Sequence, residues 1–348
     1  MLAVRTIAAE TLEYADVPQP ELVPGSALVR IEHVTLCGTD LHIWEDDYTS
    51  ELPLIQGHEL AGTVIDVAPD VDRVAIGDRV AIDPLISCGE CRACRAGRGN
   101  VCPQLTVFGC YSDGGLVEVL RVKAPKLHRI PTGVPTDLGA IAEPTAIALQ
   151  AVARGRATAE DTAVVLGVGP IGLLATLALH DLGARVVAAD TDADRLELAR
   201  EFGADDTILV TADEVFPGAA GAAALHRLSG DDGPSLVIEA TGVPASLENG
   251  LRVVAAGGRV VQVGISTRPT GFPLNLLAFK EVDLLGSRNS TGLIPDALQL
   301  IGRHPDRVRN LITHRFPAEQ LDRAFHTMRD RSQRVGKILI DMPAGAAA

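Results

Sequence analysis

Four cysteines fall within the sixteen positions of SCGECRACRAGRGNVC: Cys88, Cys91, Cys94 and Cys102. Their close, uneven spacing lets a short glycine-bearing loop fold four sulfurs around one point. Four thiolates at about 2.3 Å from a tetrahedral Zn2+ leave no open coordination position, so such a site is structural. Unpaired or redox-active thiols are one alternative reading. A nucleic-acid-binding zinc ribbon is another, and the formal charge of −14 and the lack of aromatic–basic alternation around the cluster weigh against it. Reactive chemistry is expected elsewhere. In LCGTDLH (36–42) and GHELAG (57–62), Cys37, His58 and Glu59 are soft, borderline and hard donors that Zn2+ accepts together. Both groups adjoin glycines at the ends of strand-like stretches, ALVRIEHV before one and LAGTVIDVA after the other. A Cys and a distant His-Glu pair also occur as plain core residues, and spacing alone does not make them converge.

A third constellation lies in TAVVLGVGPIGLLATLALHDLGARVVAAD, which reads as strand, glycine turn, helix and strand. Gly167, Gly169 and Gly172, with Pro170 and Ile171 between them, make G-x-G-x-x-G directly after Val164 and Val165. The first glycine permits the tight turn, the second lets backbone approach a pyrophosphate, and the third allows close helix–strand packing. The helix N-terminus offers free N–H groups and partial positive charge to phosphate oxygens. Asp190, at the end of the next strand, is expected to accept hydrogen bonds from ribose hydroxyls and to repel a 2′-phosphate. NAD is therefore favoured over NADP, with Arg195 five residues later softening the preference. A glycine turn without a cofactor is the alternative.

These groups need elements to position them. The chain of 348 residues is long enough for two cores, and 47% apolar content with 34 glycines and 21 prolines suits an α/β protein rich in turns. Its acidity disfavours nucleic-acid or anionic-membrane partners, which need basic surfaces. No run of about 18 apolar residues is present to span a bilayer. The start, MLAVRTIAAETLEY, lacks the pattern of a signal peptide, so a cytoplasmic location is expected, where clustered cysteines hold metal more often than disulfides. Apolar runs at 164–168, 185–189, 207–210, 235–242, 258–264 and 283–289 predict six parallel strands, with helices between that include 244–256. Short strands with Gly-Pro turns fill 1 to about 146. After 288 come a helix in GLIPDALQLIGR, the strand ITHRF, a helix in AEQLDRAFHTMRD and a strand in RVGKILIDM; the final PAGAAA reads as frayed.

Cys37-Gly-Thr-Asp, Gly57-His58-Glu59, the four-cysteine lobe, Glu143-Pro144 and the glycine turn occur in the order found in zinc-dependent medium-chain dehydrogenases. The chain most resembles their polyol branch of sorbitol-, idonate- and galactonate-type enzymes, with L-threonine dehydrogenases as near relatives. The resemblance implies a GroES-like, mostly-β catalytic domain (1–146 and 289–348) that carries the zinc lobe at about 87–103. It also implies a Rossmann domain (147–288) with a doubly wound, six-stranded parallel sheet. It implies two Zn2+ per chain and NAD. Cys37 and His58 match ligands of the catalytic zinc, Glu59 matches a carboxylate that binds zinc in some members, and Glu143 matches the position where polyol enzymes carry Glu and alcohol dehydrogenases Cys. Asp40 matches a residue that orients His58. Thr39 and His42 match a proton relay of hydroxyl, cofactor ribose and surface imidazole, and Arg288 resembles a residue near the substrate.

The implied reaction is reversible hydride transfer between NAD and a secondary alcohol of a polyol, sugar acid or cyclitol, the metal lowering the pKa of the hydroxyl. Ile43 stands where sorbitol dehydrogenases carry an aromatic residue, which speaks against sorbitol itself. Cys110, in FGCYSDGG, is expected near the pocket. Oxidation of an amino alcohol of the threonine type is a competing reading, favoured by ITHRF and opposed by Glu143, where threonine enzymes place Asp. A zinc-lacking quinone or enoyl reductase and a non-catalytic NAD-binding or zinc-ribbon module are further alternatives. The resemblance also implies a homodimer or homotetramer.

Overall fold

The computed structural model describes residues 1–330 and 332–343. The chain divides into two compact units, one built from Met1–Glu143 with the segment from Thr291 onward, the other from Pro144–Ser290.

The first unit is organised by one long strand, Ser26–Leu36, whose apolar residues alternate into a core of Val29, Ile31, Val34 and Leu36. It lies antiparallel to Glu59–Val67, to Val119–Lys123 and to Lys337–Asp341, and the last of these runs parallel to Ile312–Pro317. Arg79–Ile82 and Leu127–Arg129 complete a seven-stranded sheet. Residues from both ends of the chain therefore share one sheet, and the register decides what meets at its end. Thr35 pairs with Glu59, and Ile338 pairs with Leu36. Carrying the second register one step further puts Lys337 across from Cys37. The helix Gly38–Trp44 follows at once, and its buried Trp44 stacks on Phe325 of the helix Leu321–Arg329 at 5.1 Å between ring centroids. The aromatic residue that follows Ile43 thus packs the core. A two-stranded ribbon, Leu85–Ile86 against Thr106–Val107, closes the base of the four-cysteine loop.

The second unit is a six-stranded parallel sheet in the order Asp206–Leu209, Arg185–Asp190, Thr162–Leu166, Leu236–Glu239, Arg259–Gln262, Asp283–Gly286. All six expected strands are present. The three central strands are apolar and buried nearly throughout, as a parallel sheet covered by helices on both faces requires. The first strand of the unit lies at the centre and the order reverses beside it, the arrangement of a doubly wound dinucleotide-binding fold. The helix Pro170–Leu182 opens on Gly169 as its cap with Pro170 in the first turn, where a missing N–H costs no helical hydrogen bond. The helix at Pro244–Val253 is shorter than the expected 244–256 because the chain turns extended at Val254.

Beyond the sheet, helix Ile294–Arg303, strand Ile312–Pro317, helix Leu321–Arg329 and strand Lys337–Asp341 follow in the expected order. The expectation of a frayed end at 343–348 lies outside the described residues except for Pro343. No helix among the described residues is long and apolar enough to cross a membrane.

Candidate active site

Cys37 ends the long strand and caps the helix Gly38–Trp44. Its N–H donates to Asp40 Oδ2 at 2.8 Å, while Asp40 Oδ1 accepts from the Gly57 N–H at 3.3 Å. Gln56 Nε2 donates to the Asp40 carbonyl at 2.7 Å. A fully buried carboxylate thus ties the turn bearing Cys37 to the turn bearing His58. His58 Nδ1 lies 3.6 Å from Asp40 Oδ1 and 3.7 Å from Cys110 Sγ, so Cys110 does stand beside the site. Burial pushes the imidazole towards neutrality, but the Asp40 carboxylate and Cys110 together outweigh it and raise the pKa well above the ordinary value. Donor atoms of Cys37, His58 and Glu59 lie within 4.8 Å of one another, so residues distant in sequence do converge.

Glu59 is not free in this cluster. One of its oxygens accepts from Lys337 Nζ and the other from the Thr35 hydroxyl. Lys337 is 3% exposed, donates also to the Leu36 carbonyl at 3.3 Å, and is held charged. Burial lowers its pKa, and Glu59, Cys37 and Glu143 together lift it above the usual lysine value. Glu143 lies in the first turn of the helix Ala142–Arg154, outside the 4.8 Å cluster. Burial raises its carboxyl to about 7, with His58 pulling it down and Glu59 pushing it up. Its Oε2 is buried and has no hydrogen-bond partner. A thiol, an imidazole and a carboxylate with donor atoms this close form a set that Zn2+ accepts, so Cys37, His58 and Glu59 fit a zinc ion, and Glu143, outside that cluster, keeps a buried oxygen without a protein donor.

Thr39 and His42 share the helix Gly38–Trp44. The Thr39 hydroxyl lies 3.9 Å from Cys37 Sγ, and His42 is exposed, with Nδ1 3.7 Å from Asp47 Oδ2. Sequence reasoning missed Thr35 and Lys337. A lysine opening an otherwise apolar strand, GKILID, was the available signal.

In the lobe, Sγ···Sγ distances are 3.9 Å for Cys88–Cys94 and Cys91–Cys102, and 3.5 Å for Cys91–Cys94 and Cys88–Cys102. A tetrahedron with about 2.3 Å zinc–sulfur bonds has edges of about 3.8 Å, so the four sulfurs fit a zinc ion. Backbone N–H groups of Cys91, Cys94 and Gln104 point at sulfurs from 3.3 to 3.4 Å. The backbone N–H groups of Glu90 and Cys91 lower the Cys88 thiol to about 7, whereas burial raises Cys94 to about 11. Neighbouring sulfurs cannot all ionise without a cation.

In the second unit Gly167 has φ +85°, which a side chain rarely adopts, and a Cβ there would meet Thr241 Cγ2 at 2.5 Å. A Cβ on Gly169 would meet nothing within 4 Å, so the turn is open on that side. Asp190 is buried, with Oδ2 accepting from the Val168 N–H at 2.8 Å and Oδ1 from the Asp192 N–H at 3.1 Å. Arg195 Nε lies 3.9 Å from Asp192 Oδ2 on the half-exposed start of the next helix. Arg288 is exposed just past the last strand of the sheet.

A doubly wound sheet with this glycine turn and a buried Cys–His–carboxylate cluster define a metal-using dinucleotide-dependent oxidoreductase. Residues 23–132 match the Alcohol dehydrogenase GroES-like domain and residues 170–303 the Zinc-binding dehydrogenase family. The sorbitol dehydrogenase of Mus musculus is 35% identical over 321 residues, covering 89% of this chain and 87% of its own. An alcohol dehydrogenase of Escherichia coli CFT073, solved with NADH, has 28% identity and a TM-score of 0.89 over 98% of this chain and 99% of that one. L-idonate 5-dehydrogenase of Escherichia coli has 26% identity and a TM-score of 0.87 over 98% and 97%. The chain belongs to the zinc-dependent medium-chain alcohol dehydrogenases, in their polyol branch, and is a zinc- and NAD-dependent alcohol oxidoreductase.

Proposed function

We propose that the chain interconverts a secondary alcohol of a polyol, sugar acid or cyclitol and its ketone, using NAD in preference to NADP. The observation that carries this reading is Glu143: a buried carboxylate with an unpartnered oxygen where a purely alcohol-directed site would use a second thiolate. Cys37, His58 and Glu59 would hold the catalytic zinc, with Glu143 alongside as a further carboxylate toward the metal or the substrate. Zinc bound there would supply Lewis acidity toward a substrate hydroxyl, and NAD would be the hydride acceptor. A carboxylate in place of a thiolate leaves that cation harder and better suited to oxygen-rich substrates. Asp40 holds His58 in orientation through Nδ1. The Thr39 hydroxyl would pass on the proton of the substrate hydroxyl through the cofactor ribose, and exposed His42 would deliver it to solvent. Gly167, Gly169, Pro170, Ile171 and Gly172 bind the pyrophosphate, Asp190 the ribose, with Arg195 beside it. Arg288 contacts the far end of the substrate.

The relatives named for sorbitol and L-idonate support a polyhydroxy substrate. A panel of polyols, sugar acids, cyclitols and L-threonine, followed by nicotinamide absorbance, tests the reading. Turnover of a polyol or sugar acid is expected, and turnover of L-threonine alone would replace the reading with amino-alcohol oxidation. Cys37→Ala is expected to abolish turnover while dinucleotide binding persists. Six free cysteines, four gathered as metal donors, support a cytoplasmic location, where thiols stay reduced. The strand Asp283–Gly286 ends its sheet, and exposed Leu274 (78%) and Phe279 (85%) precede it, which supports a homo-oligomer through this edge. Phe279→Glu is expected to lower the mass measured by light scattering, and an unchanged mass would exclude that edge.

A further inference from the structure

The first unit carries a second concave site, at the edge of its seven-stranded sheet, that shares no residue with the candidate active site. The strand Leu127–Arg129 is the last of that sheet and pairs antiparallel with Arg79–Ile82. The helix Ile294–Arg303 packs against it. Strand, helix and Arg73, on the loop that leads into Arg79–Ile82, enclose a cavity of about 360 Å³. Small organic ligands occupy cavities of this size.

The lining is of two kinds. Leu127, Pro131 and Leu298 supply apolar surface, and Arg73, His128 and Arg129 supply basic groups. No acid lines it among the described residues. Arg73 has no ion pair or hydrogen bond among the described residues. Arg129 donates through Nε to Asp78 at 2.7 Å, which leaves its terminal nitrogens available. The other acid in the neighbourhood, Asp83, is committed to Lys126 at 2.8 Å. Burial, with Arg73 and Lys126, pushes the His128 imidazole below its ordinary pKa, and Asp83 opposes them. Two guanidiniums thus meet at an apolar hollow to which the protein brings no carboxylate of its own. In a chain of formal charge −14, which repels dissolved anions at long range, that is a local exception.

We propose that this cavity binds a small organic anion, with an oxyanion head group of the carboxylate or phosphate class on a compact apolar body. Arg73 and Arg129 hold the head group through charge-assisted hydrogen bonds, and His128 adds a ring nitrogen. Leu127, Pro131 and Leu298 cover the apolar body and release the water from both surfaces. Half-exposed arginines hold a bare oxyanion only weakly, because salt screens them, so the apolar contact supplies the selectivity. An occupant bridges the loop bearing Arg73, the strand Leu127–Arg129 and the helix Ile294–Arg303, and so adds to the stability of the first unit.

The test is calorimetric titration of the zinc-loaded full chain at low salt, with NADH saturating so that the dinucleotide site is filled. The probes are phenyl phosphate, benzoate and inorganic phosphate. Phenyl phosphate or benzoate is expected to bind at least about tenfold more tightly than inorganic phosphate, and the tighter of the two names the head group. Arg73→Ser and Arg129→Gln are each expected to weaken that probe at least about tenfold. Gln299→Trp, which puts a large ring into the cavity from the helix, is expected to abolish its binding. All three positions are exposed, so the variants keep the fold, and unchanged NADH affinity verifies it. Cys37→Ala, which disables the candidate metal site, is expected to retain the parent affinity for the probe, so failure of the proposed reaction and failure of this site are told apart. No binding, equal affinity for inorganic phosphate, affinity unchanged in the two arginine variants, or binding lost in Cys37→Ala overturns the proposal.

Discussion

A Cβ on Gly172 would lie 1.9 Å from the carbonyl oxygen of Gly167, so the third glycine of the turn rests against the first with no room for a methyl group. Gly172→Ala must push the start of the helix Pro170–Leu182 away from the turn, and the N–H groups there lose their aim. The variant is expected to bind NAD at least about tenfold more weakly and to lose about 2 kcal/mol of stability from overpacking. Fluorescence titration with NADH and urea unfolding measure the two effects, and parent-like NADH affinity would remove the turn from the cofactor site.

Asp190 reads the same turn from the neighbouring strand, through its hydrogen bond from the Val168 N–H. Removing the carboxylate loosens that turn and deletes the charge proposed to face the adenosine ribose. Asp190→Ala is expected to weaken NAD by about tenfold and NADP much less, since charge-assisted hydrogen bonds to a ribose are the ones lost. Parallel dissociation constants for the two cofactors supply the check, and an unchanged ratio contradicts the role.

Cys102 is the buried sulfur of the lobe and accepts from the Gln104 N–H at 3.3 Å. Cys102→Ser leaves three sulfurs and a poorer oxygen donor. Metal analysis is expected to find one zinc fewer per chain, and calorimetry a midpoint lower by about 4 °C or more. Turnover of the zinc retained at the other cluster is expected to persist at moderate temperature, because the lobe is a clip. A variant that keeps its full zinc content would show that the four sulfurs do not share a metal.

The pair Asp161–Arg259 gives a pH signature. Asp161 is buried, which raises its carboxyl, but the Ser235 hydroxyl, the Thr158 N–H and Arg259 together draw it below the ordinary value of 3.8. Its folded form thus ionises at lower pH than its unfolded form. The stabilisation is complete above the unfolded value and is lost as pH falls through the folded one. Asp161→Asn is expected to cost about 3 kcal/mol at neutral pH and to narrow its deficit below about pH 4. Urea midpoints between pH 3 and 7 test this, and a pH-independent deficit refutes it.

What could be read in the sequence tracks what is local. Gly167, Gly172 and Pro170 act within six positions, and buried parallel strands are continuous apolar runs, so the second unit was legible almost strand by strand. Cys88 to Cys102 is likewise a loop whose spacing reports its geometry. Cys37 and His58 were visible as donor types, while their convergence depends on Asp40, which bonds both turns at once. Lys337 was hidden because its partner lies 278 residues earlier. Only the register of Lys337–Asp341 against Ser26–Leu36 brings it to Glu59, and no local pattern encodes a register between distant strands.

The separation of Lys337 from Glu59 has a consequence for biosynthesis. A growing polypeptide presents Glu59 long before its counter-ion Lys337 emerges from the ribosome, and closing so long a loop is slow. Until the strand Lys337–Asp341 docks, Glu59 lacks the ammonium with which it pairs in the finished sheet. Arrival of that strand is therefore the one event that both completes the sheet and neutralises a buried acid.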